Sequence, residues 1–415
     1  MRETGGRGWG RRAGVAGALL GLAAAGAAAG VAVERLTVHR AVRRRARLAL
    51  DATGPYGSLR GTPGRAVADD GTELYYETDD PEGGIPDGAP TVVFSHGYCL
   101  AQDVWHFQRA ALRGAGRSAD SGQSADSEQS GPSVPPLRAV YWDQRGHGRS
   151  GRGRAGETVT IDRLGRDLKA VLDAAVPEGP VVLVGHSMGG MTVMALAHHH
   201  PGYVAERVAA VALVGTSAGN LAEVTYGLPA AGARAVRRMA PGLLRTLAAR
   251  ADLVERGRRA TADLFTGLVK RYSFGARDID PGVARFAERL IESVPVDVVA
   301  DFYPAFAEHE KTAALAAFGA DRPALILTGD RDLLTPREHS EAMAGALPHA
   351  DLVVVEGAGH LVMLERPETV NERLAELLAR TIHTHGDTAP PGRGDGPRSR
   401  SPEPRTGREG PRSDP

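Results

Sequence analysis

A serine stands where a strand-to-helix turn would expose it. Gly185-His186-Ser187-Met188-Gly189 follows the apolar run Val181–Val184 and opens a stretch with helical spacing. In that context a G-x-S-x-G pentapeptide holds its serine on a tight, strained turn, with glycines on either side to avoid side-chain clashes. The helix start contributes N–H groups with no intrahelical acceptor, which favour a developing negative charge. Ser187 is therefore the expected nucleophile. His186, inside the motif, is expected to point away from it and to be structural.

A serine hydroxyl is a weak nucleophile and needs a base. His360 follows Gly357-Ala358-Gly359, directly after the apolar run Leu352–Val355. That places it in a loop at the carboxyl end of a strand, on the same rim as Ser187. The base needs an orienting carboxylate. Thr328-Gly329-Asp330-Arg331-Asp332 follows the run Ala324–Leu327, and either aspartate could reach the rim. Asp332, farther into the loop, is favoured as the acid, with Asp330 as a turn cap. Ser95-His96-Gly97-Tyr98 ends an earlier apolar run. The backbone N–H of Tyr98 could join that of Met188 as a pair of oxyanion donors, an arrangement worth several kcal/mol of barrier. Cys99, beside them, has no base of its own and is read as a packed thiol.

These residues need a scaffold that brings strand ends together. Short apolar runs bounded by turn residues occur at Thr91–Ser95, Ala139–Trp142, Val181–Val184, Val208–Val214, Ala324–Leu327 and Leu352–Val355. They read as buried strands of a parallel sheet. Helical spacing falls between them at Val104–Leu112, Ile161–Ala175, Met191–His199, Arg337–Ala346 and Thr369–Thr381. The alternation predicts an α/β fold: a mostly parallel open sheet with helices on both faces. Glu73–Glu77 alternates and is expected to lie antiparallel at the edge. Between 219 and 320 the pattern is helical only, which predicts a helical lid over the strand ends. Phe265, Phe274, Phe302, Tyr303 and Phe306 lie in it. Phe265, Phe302 and Phe306 are candidate walls of an apolar substrate pocket, the alternative being that they pack the lid on the sheet. The core is thus expected in two parts, 66–218 and 321–383.

Composition bounds the function. The 415 residues carry 50 basic and 50 acidic side chains, and this neutral total argues against a nucleic-acid partner. One cysteine excludes an intrachain disulfide and a Cys-based zinc site. The run His198-His199-His200 offers metal-ligand types, but it ends a helix before Pro201 with no nearby carboxylate partner. It is read as a solvated helix terminus, and no metal or cofactor is expected. Residues 1–50 hold ten Arg against two Glu. Within them Ala13–Val33 is uncharged, and about 20 apolar residues can span a bilayer. The expectation is membrane attachment through this segment. A cleaved signal peptide followed by secretion, or a soluble Ala-rich helix, are the other readings. The segment 114–136, with its near-duplicate Ser-Ala-Asp-Ser hexapeptides, reads as a flexible insertion. From 386 to 415, 13 of 30 residues are Gly or Pro, and a disordered tail is expected.

Taken in order, Ser95-His96-Gly97-Tyr98, Asp143-Gln144-Arg145-Gly146-His147-Gly148-Arg149-Ser150, Gly185-His186-Ser187-Met188-Gly189, Gly329-Asp330-Arg331-Asp332 and Gly359-His360 resemble the α/β-hydrolase superfamily. The likeness is to its lid-bearing serine hydrolases, such as esterases and monoacylglycerol lipases. It covers roughly Ala66 to His383. The resemblance implies cofactor-free cleavage of a small acyl ester by a Ser187, Asp332, His360 triad, and no catalytic step for Asp143–Ser150. A serine nucleophile separates the chain from epoxide hydrolases and haloalkane dehalogenases of the fold, whose nucleophile is an aspartate. Haloperoxidase, thioesterase, C–C hydrolase and acyltransferase chemistry share the triad and stay open. A non-catalytic membrane-tethered binding protein is the reading from another class. Oligomeric state is not read from the sequence.

Overall fold

A computed structural model of the protein describes residues 56–82, 84–86, 88–118, 137–154, 157–248 and 262–386. The segments 1–50 and 387–415, and most of the 114–136 insertion, lie outside the described residues. Gly114 to Ser118, assigned to that insertion, instead continue a helix.

Eight strands form one sheet: β1 (Thr62–Val67), β2 (Glu73–Asp79), β3 (Thr91–Ser95), β4 (Ala139–Trp142), β5 (Val181–His186), β6 (Val208–Val214), β7 (Ala324–Gly329) and β8 (Asp351–Val355). Their spatial order is β1-β2-β4-β3-β5-β6-β7-β8. β1 and β2 pair antiparallel, as do β2 and β4, and every other pairing is parallel. The edge strand is therefore β1, which carries little apolar signal, while Glu73–Asp79 sits one place in. The sheet thus starts at Thr62, ahead of the boundary expected at Ala66.

Eleven α-helices are described: α1 (His106–Ser118), α2 (Ile161–Ala175), α3 (Met188–His199), α4 (Pro201–Arg207), α5 (Ala230–Ala248), α6 (Ala262–Ser273), α7 (Pro281–Ser293), α8 (Val296–Phe302), α9 (Arg337–Ala346), α10 (Val362–Glu365) and α11 (Pro367–Gly386). Strand side chains alternate between the two faces with period two. Val92, Phe94, Val182, Val184, Leu325 and Leu327 pack with Trp105, α7 and α11. Val93, Val181, Leu183 and Ile326 pack with α2, α3 and α9. In α2, Ile161, Leu164, Leu168, Val171, Leu172 and Ala175 recur at helical spacing and are all buried. The Thr160 side chain caps its start by accepting from the Arg163 amide.

Helices α5 to α8 fill the interval between β6 and β7, as the all-helical pattern there predicts. A third apolar cluster joins Val294, Val298, Phe302 and Ala305 of this insert to Met188, Met191 and Ile161, so the insert sits over the strand ends of the nucleophile side. Among the described residues no helix is long and apolar enough to cross a membrane.

Candidate active site

β5 ends at His186 and α3 begins at Met188, so a single residue, Ser187, makes the turn. Its φ of 52° and ψ of −120° lie where a side chain costs on the order of 1–3 kcal/mol of strain. The turn is held from several sides. The Ser187 amide donates to the Val214 carbonyl at 3.0 Å, and the Ser187 carbonyl accepts from the Thr216 hydroxyl at 2.7 Å. A Cβ on Gly189 would collide with the Ser95 carbonyl, which is why a glycine follows the serine there.

His360 sits in the loop after β8. Its Nε2 lies 3.0 Å from Ser187 Oγ. Its Nδ1 lies 2.8 Å from Asp332 Oδ2. An ionised carboxylate only accepts, so the proton is on Nδ1 and Nε2 is left to accept from the serine hydroxyl. Asp332 is buried and fully coordinated: Oδ1 accepts from the Leu334 and Thr335 amides at 2.8 and 2.9 Å, and Oδ2 accepts from the Thr335 hydroxyl at 2.8 Å. Asp330 is exposed; its amide donates to the Val355 carbonyl. Of the two aspartates only Asp332 meets the imidazole. The structure therefore brings Ser187, His360 and Asp332 into one hydrogen-bonded row.

The loop after β3 lies against this row. A Cβ on Gly97 would come within 3.1 Å of Ser187 Cβ and 2.6 Å of His186 Nδ1. The Tyr98 backbone thus passes close beside the elbow, where Met188 opens α3. The Tyr98 side chain does something the sequence reading did not foresee. Its hydroxyl donates to the Val299 carbonyl of α8 at 2.5 Å. Its ring lies 5.0 Å from that of Phe306 and 6.2 Å from that of Phe302. It pins the insert to the rim, and burial pushes its hydroxyl pKa well up. Phe302, only 2% exposed, also packs edge-on to His147 at 4.9 Å. Phe306 is half-buried. Phe265 lies in α6, but its side chain is outside the described residues.

The loop Asp143–Ser150 braces the Ser95–Cys99 loop. His96 Nε2 accepts from the Gln144 amide at 2.9 Å, and the Gln144 side chain donates to the His96 carbonyl. Thr192 of α3 donates to Gln144 Oε1 at 2.7 Å. His147 Nε2 accepts from the Cys99 amide at 3.2 Å. Burial depresses the pKa of His147 to about 4. Burial, then the nearby His147, lower that of His96 to about 3. Both imidazoles are therefore neutral acceptors at ordinary pH. No local pattern in the sequence pointed to this bracing, because both pairings join strands far apart in the chain. His186 turns away from Ser187: its Nε2 donates to the His360 carbonyl at 3.0 Å.

The histidine run at the end of α3 has a carboxylate after all, contrary to the sequence expectation. Asp162 Oδ1 is 2.8 Å from His199 Nε2, and ligand atoms of Asp162, His198 and His199 lie within 4.8 Å of one another. The partner comes from the start of α2, 37 residues away in the chain. Lys311 Nζ lies 3.1 Å from the same oxygen, so the carboxylate faces an ammonium group beside the His199 imidazole.

Known proteins share this arrangement of chain. A family model described as alpha/beta hydrolase fold matches residues 90–367. Epoxide hydrolase A of Mycobacterium tuberculosis is 28% identical over 332 residues, 72% of this chain and 92% of that protein. The 3-oxoadipate enol-lactonase 1 of Acinetobacter baylyi is 25% identical over 284 residues, 68% of this chain and 86% of that protein. Among solved structures, a thermophilic esterase from Thermogutta terrifontis superposes with a TM-score of 0.55 at 25% identity, covering 77% of this chain and 98% of that one.

Proposed function

The chain belongs to the alpha/beta-hydrolase family, and from that premise we propose that it is a serine hydrolase of carboxylic esters. The observation that carries the reading is the row in which Ser187 Oγ meets His360 Nε2 at 3.0 Å and His360 Nδ1 meets Asp332 at 2.8 Å. Ser187 Oγ attacks the acyl carbonyl as His360 Nε2 takes its proton. The carbonyl π electrons move to oxygen, and the Tyr98 and Met188 amides hold that oxyanion. Collapse expels the alcohol, which leaves with the proton from His360. Water, deprotonated by the same imidazole, then cleaves the acyl-enzyme and restores the serine. Asp332 fixes the imidazole tautomer and stabilises its cation.

The family premise and an esterase and an enol-lactonase among the similar proteins support hydrolysis of an oxygen ester. The similarity to an epoxide hydrolase raises a second reading, opening of an epoxide. The aspartate nucleophile of that chemistry would stand where this chain has Ser187, which favours the ester. Phe302 and Phe306, with the Tyr98 ring between core and insert, are the proposed wall of the acyl site. Any attachment to a membrane rests on the run 13–33 alone. The test is labelling by a serine-directed phosphonate, with hydrolysis of acyl esters of graded chain length, in the wild type and in Ser187→Ala. Labelling of another serine in the variant would overturn the assignment.

A further inference from the structure

Glu365 has no part in the chemistry described above, yet its carboxylate grips the loop that carries the base. It closes α10 and is 6% exposed. Oε2 accepts from the Gly359 amide at 2.7 Å and from the Gly275 amide at 3.0 Å; Oε1 accepts from the Ala276 amide at 2.6 Å. Gly359 immediately precedes His360. Gly275 and Ala276 belong to the turn that leaves α6, inside the helical insert. A single side chain thus fills its acceptor positions with amides from two segments more than 80 residues apart.

The two segments touch backbone to backbone. A Cβ on Gly359 would come within 2.5 Å of the Gly275 nitrogen, and one on Gly275 within 2.6 Å of the Ala358 carbonyl carbon. The Leu361 amide donates to the Ser273 carbonyl at 2.8 Å, and the Arg331 amide donates to the Ala358 carbonyl at 2.9 Å. With His186 holding the His360 carbonyl at 3.0 Å, the peptide units on both sides of the base are tied down. Before His360 the loop is tied to the insert through Glu365 and to the core through the Arg331 amide; after it, to the same turn of the insert through Leu361 and to the sheet through His186. General-base catalysis needs placement within about 0.5 Å, and a displacement of about 1 Å can cost on the order of 100-fold in rate.

We infer that Glu365 is a positioning residue for His360: its carboxylate clamps the base loop to the Ser273–Ala276 turn, so that the base is aligned only while that turn is seated. This rests on the triad reading. The experiment compares the full chain with Glu365→Gln, which keeps shape but replaces one acceptor oxygen by a donor, and with Glu365→Ala. Leu315→Ala, in the core away from the loop, serves as the control for lost stability. Ester turnover is measured as kcat and KM. The His360 Nδ1 proton, hydrogen-bonded to Asp332, is followed by proton NMR without substrate. The expected result is a fall in kcat of about 10- to 100-fold with KM within about twofold, together with loss or broadening of the Nδ1 signal. Leu315→Ala, equally or more destabilised, should keep both. If Glu365→Ala does not fold, Glu365→Gln carries the test. A folded Glu365→Gln with wild-type kcat and an intact signal overturns the inference. So does a rise in KM alone, or a loss of kcat no larger than in Leu315→Ala. A wild type that cleaves no ester sinks the triad reading instead, and the imidazole signal still judges the clamp.

Discussion

The two halves of the candidate site are held in different ways. On the nucleophile side, Ser187 takes its conformation from the end of β5 and the start of α3, and the neighbouring loops brace each other within the core through His96, Gln144 and His147. On the other side, His360 sits in a loop tied to the core through His186 and the Arg331 amide and also to the helical insert, at Ser273, Gly275 and Ala276. The proposed nucleophile is thus set by the sheet, with the insert only packing over Met188 and Tyr98, while the loop of the proposed base is hydrogen-bonded through its backbone to the insert as well as to the core. Disruption of the Ser273–Ala276 turn should therefore disturb proton transfer before it disturbs the elbow.

The largest expected effects test whether the row of three acts as one unit. Ser187→Ala should abolish phosphonate labelling and reduce turnover by at least about 10⁴-fold, with the melting temperature nearly unchanged, because alanine keeps the same backbone conformation. Asp332→Asn should lower turnover by about 10⁴-fold, because the amide keeps the shape but no longer fixes the imidazole tautomer. Asp330→Asn, at an exposed turn, should keep turnover within about threefold and shift stability by about 1 kcal/mol or less. A dead Asp330→Asn beside an active Asp332→Asn would move the acid to the other residue.

A smaller effect separates packing from exposure within the insert. Phe302 is 2% exposed and wedged against Tyr98 and His147, whereas Met239 of α5 is 71% exposed. Phe302→Ala should cost about 3–5 kcal/mol of stability, and Met239→Ala within about 0.5 kcal/mol. Thermal unfolding measures both. If Phe306→Ala, at a half-buried ring, leaves the acyl chain-length preference unchanged in stable protein, the proposed pocket wall fails.

The sheet was legible because buried parallel strands are continuous apolar runs. Thr91–Ser95, Ala139–Trp142 and Val208–Val214 appear in the structure with the limits their apolar residues set. β1 was missed because Thr-Pro-Gly-Arg-Ala-Val is an edge strand with most of its side chains in water. That Ser187 and His360 lie on one rim was legible because glycine-rich turns follow apolar runs at both. That Asp332 rather than Asp330 lies beside the imidazole followed from its place farther into the loop. The Glu365 clamp, the Tyr98 hydroxyl bond to Val299 and the Asp162–His199 pair were not legible. Each joins segments far apart in the chain, where spacing carries no signal. For the same reason the sequence pattern marked the insert as helical without indicating which turn grips the base.

The finest distinction between the two sides is their response to acid. Burial holds the pKa of His147 at about 4 and that of His96 at about 3, where 6.5 is ordinary. Both must be neutral to accept from the Cys99 and Gln144 amides. A folded-state pKa below the unfolded value means that the unfolded chain binds more protons between the two. The stability tied to these imidazoles is then fully present above about pH 6.5 and is lost as pH falls towards 4, by up to about 1.4 kcal/mol per pH unit for each histidine. His147→Gln keeps an acceptor for the Cys99 amide but cannot titrate. It should be slightly less stable than the wild type at pH 7.5, and it should lose less on going to pH 5, with proton uptake on unfolding reduced by up to about one. Urea unfolding at the two pH values measures this. An identical loss in variant and wild type would mean that His147 is not a neutral brace of the Tyr98–Cys99 loop, and the bracing of the Ser187 side by buried imidazoles would lose its support.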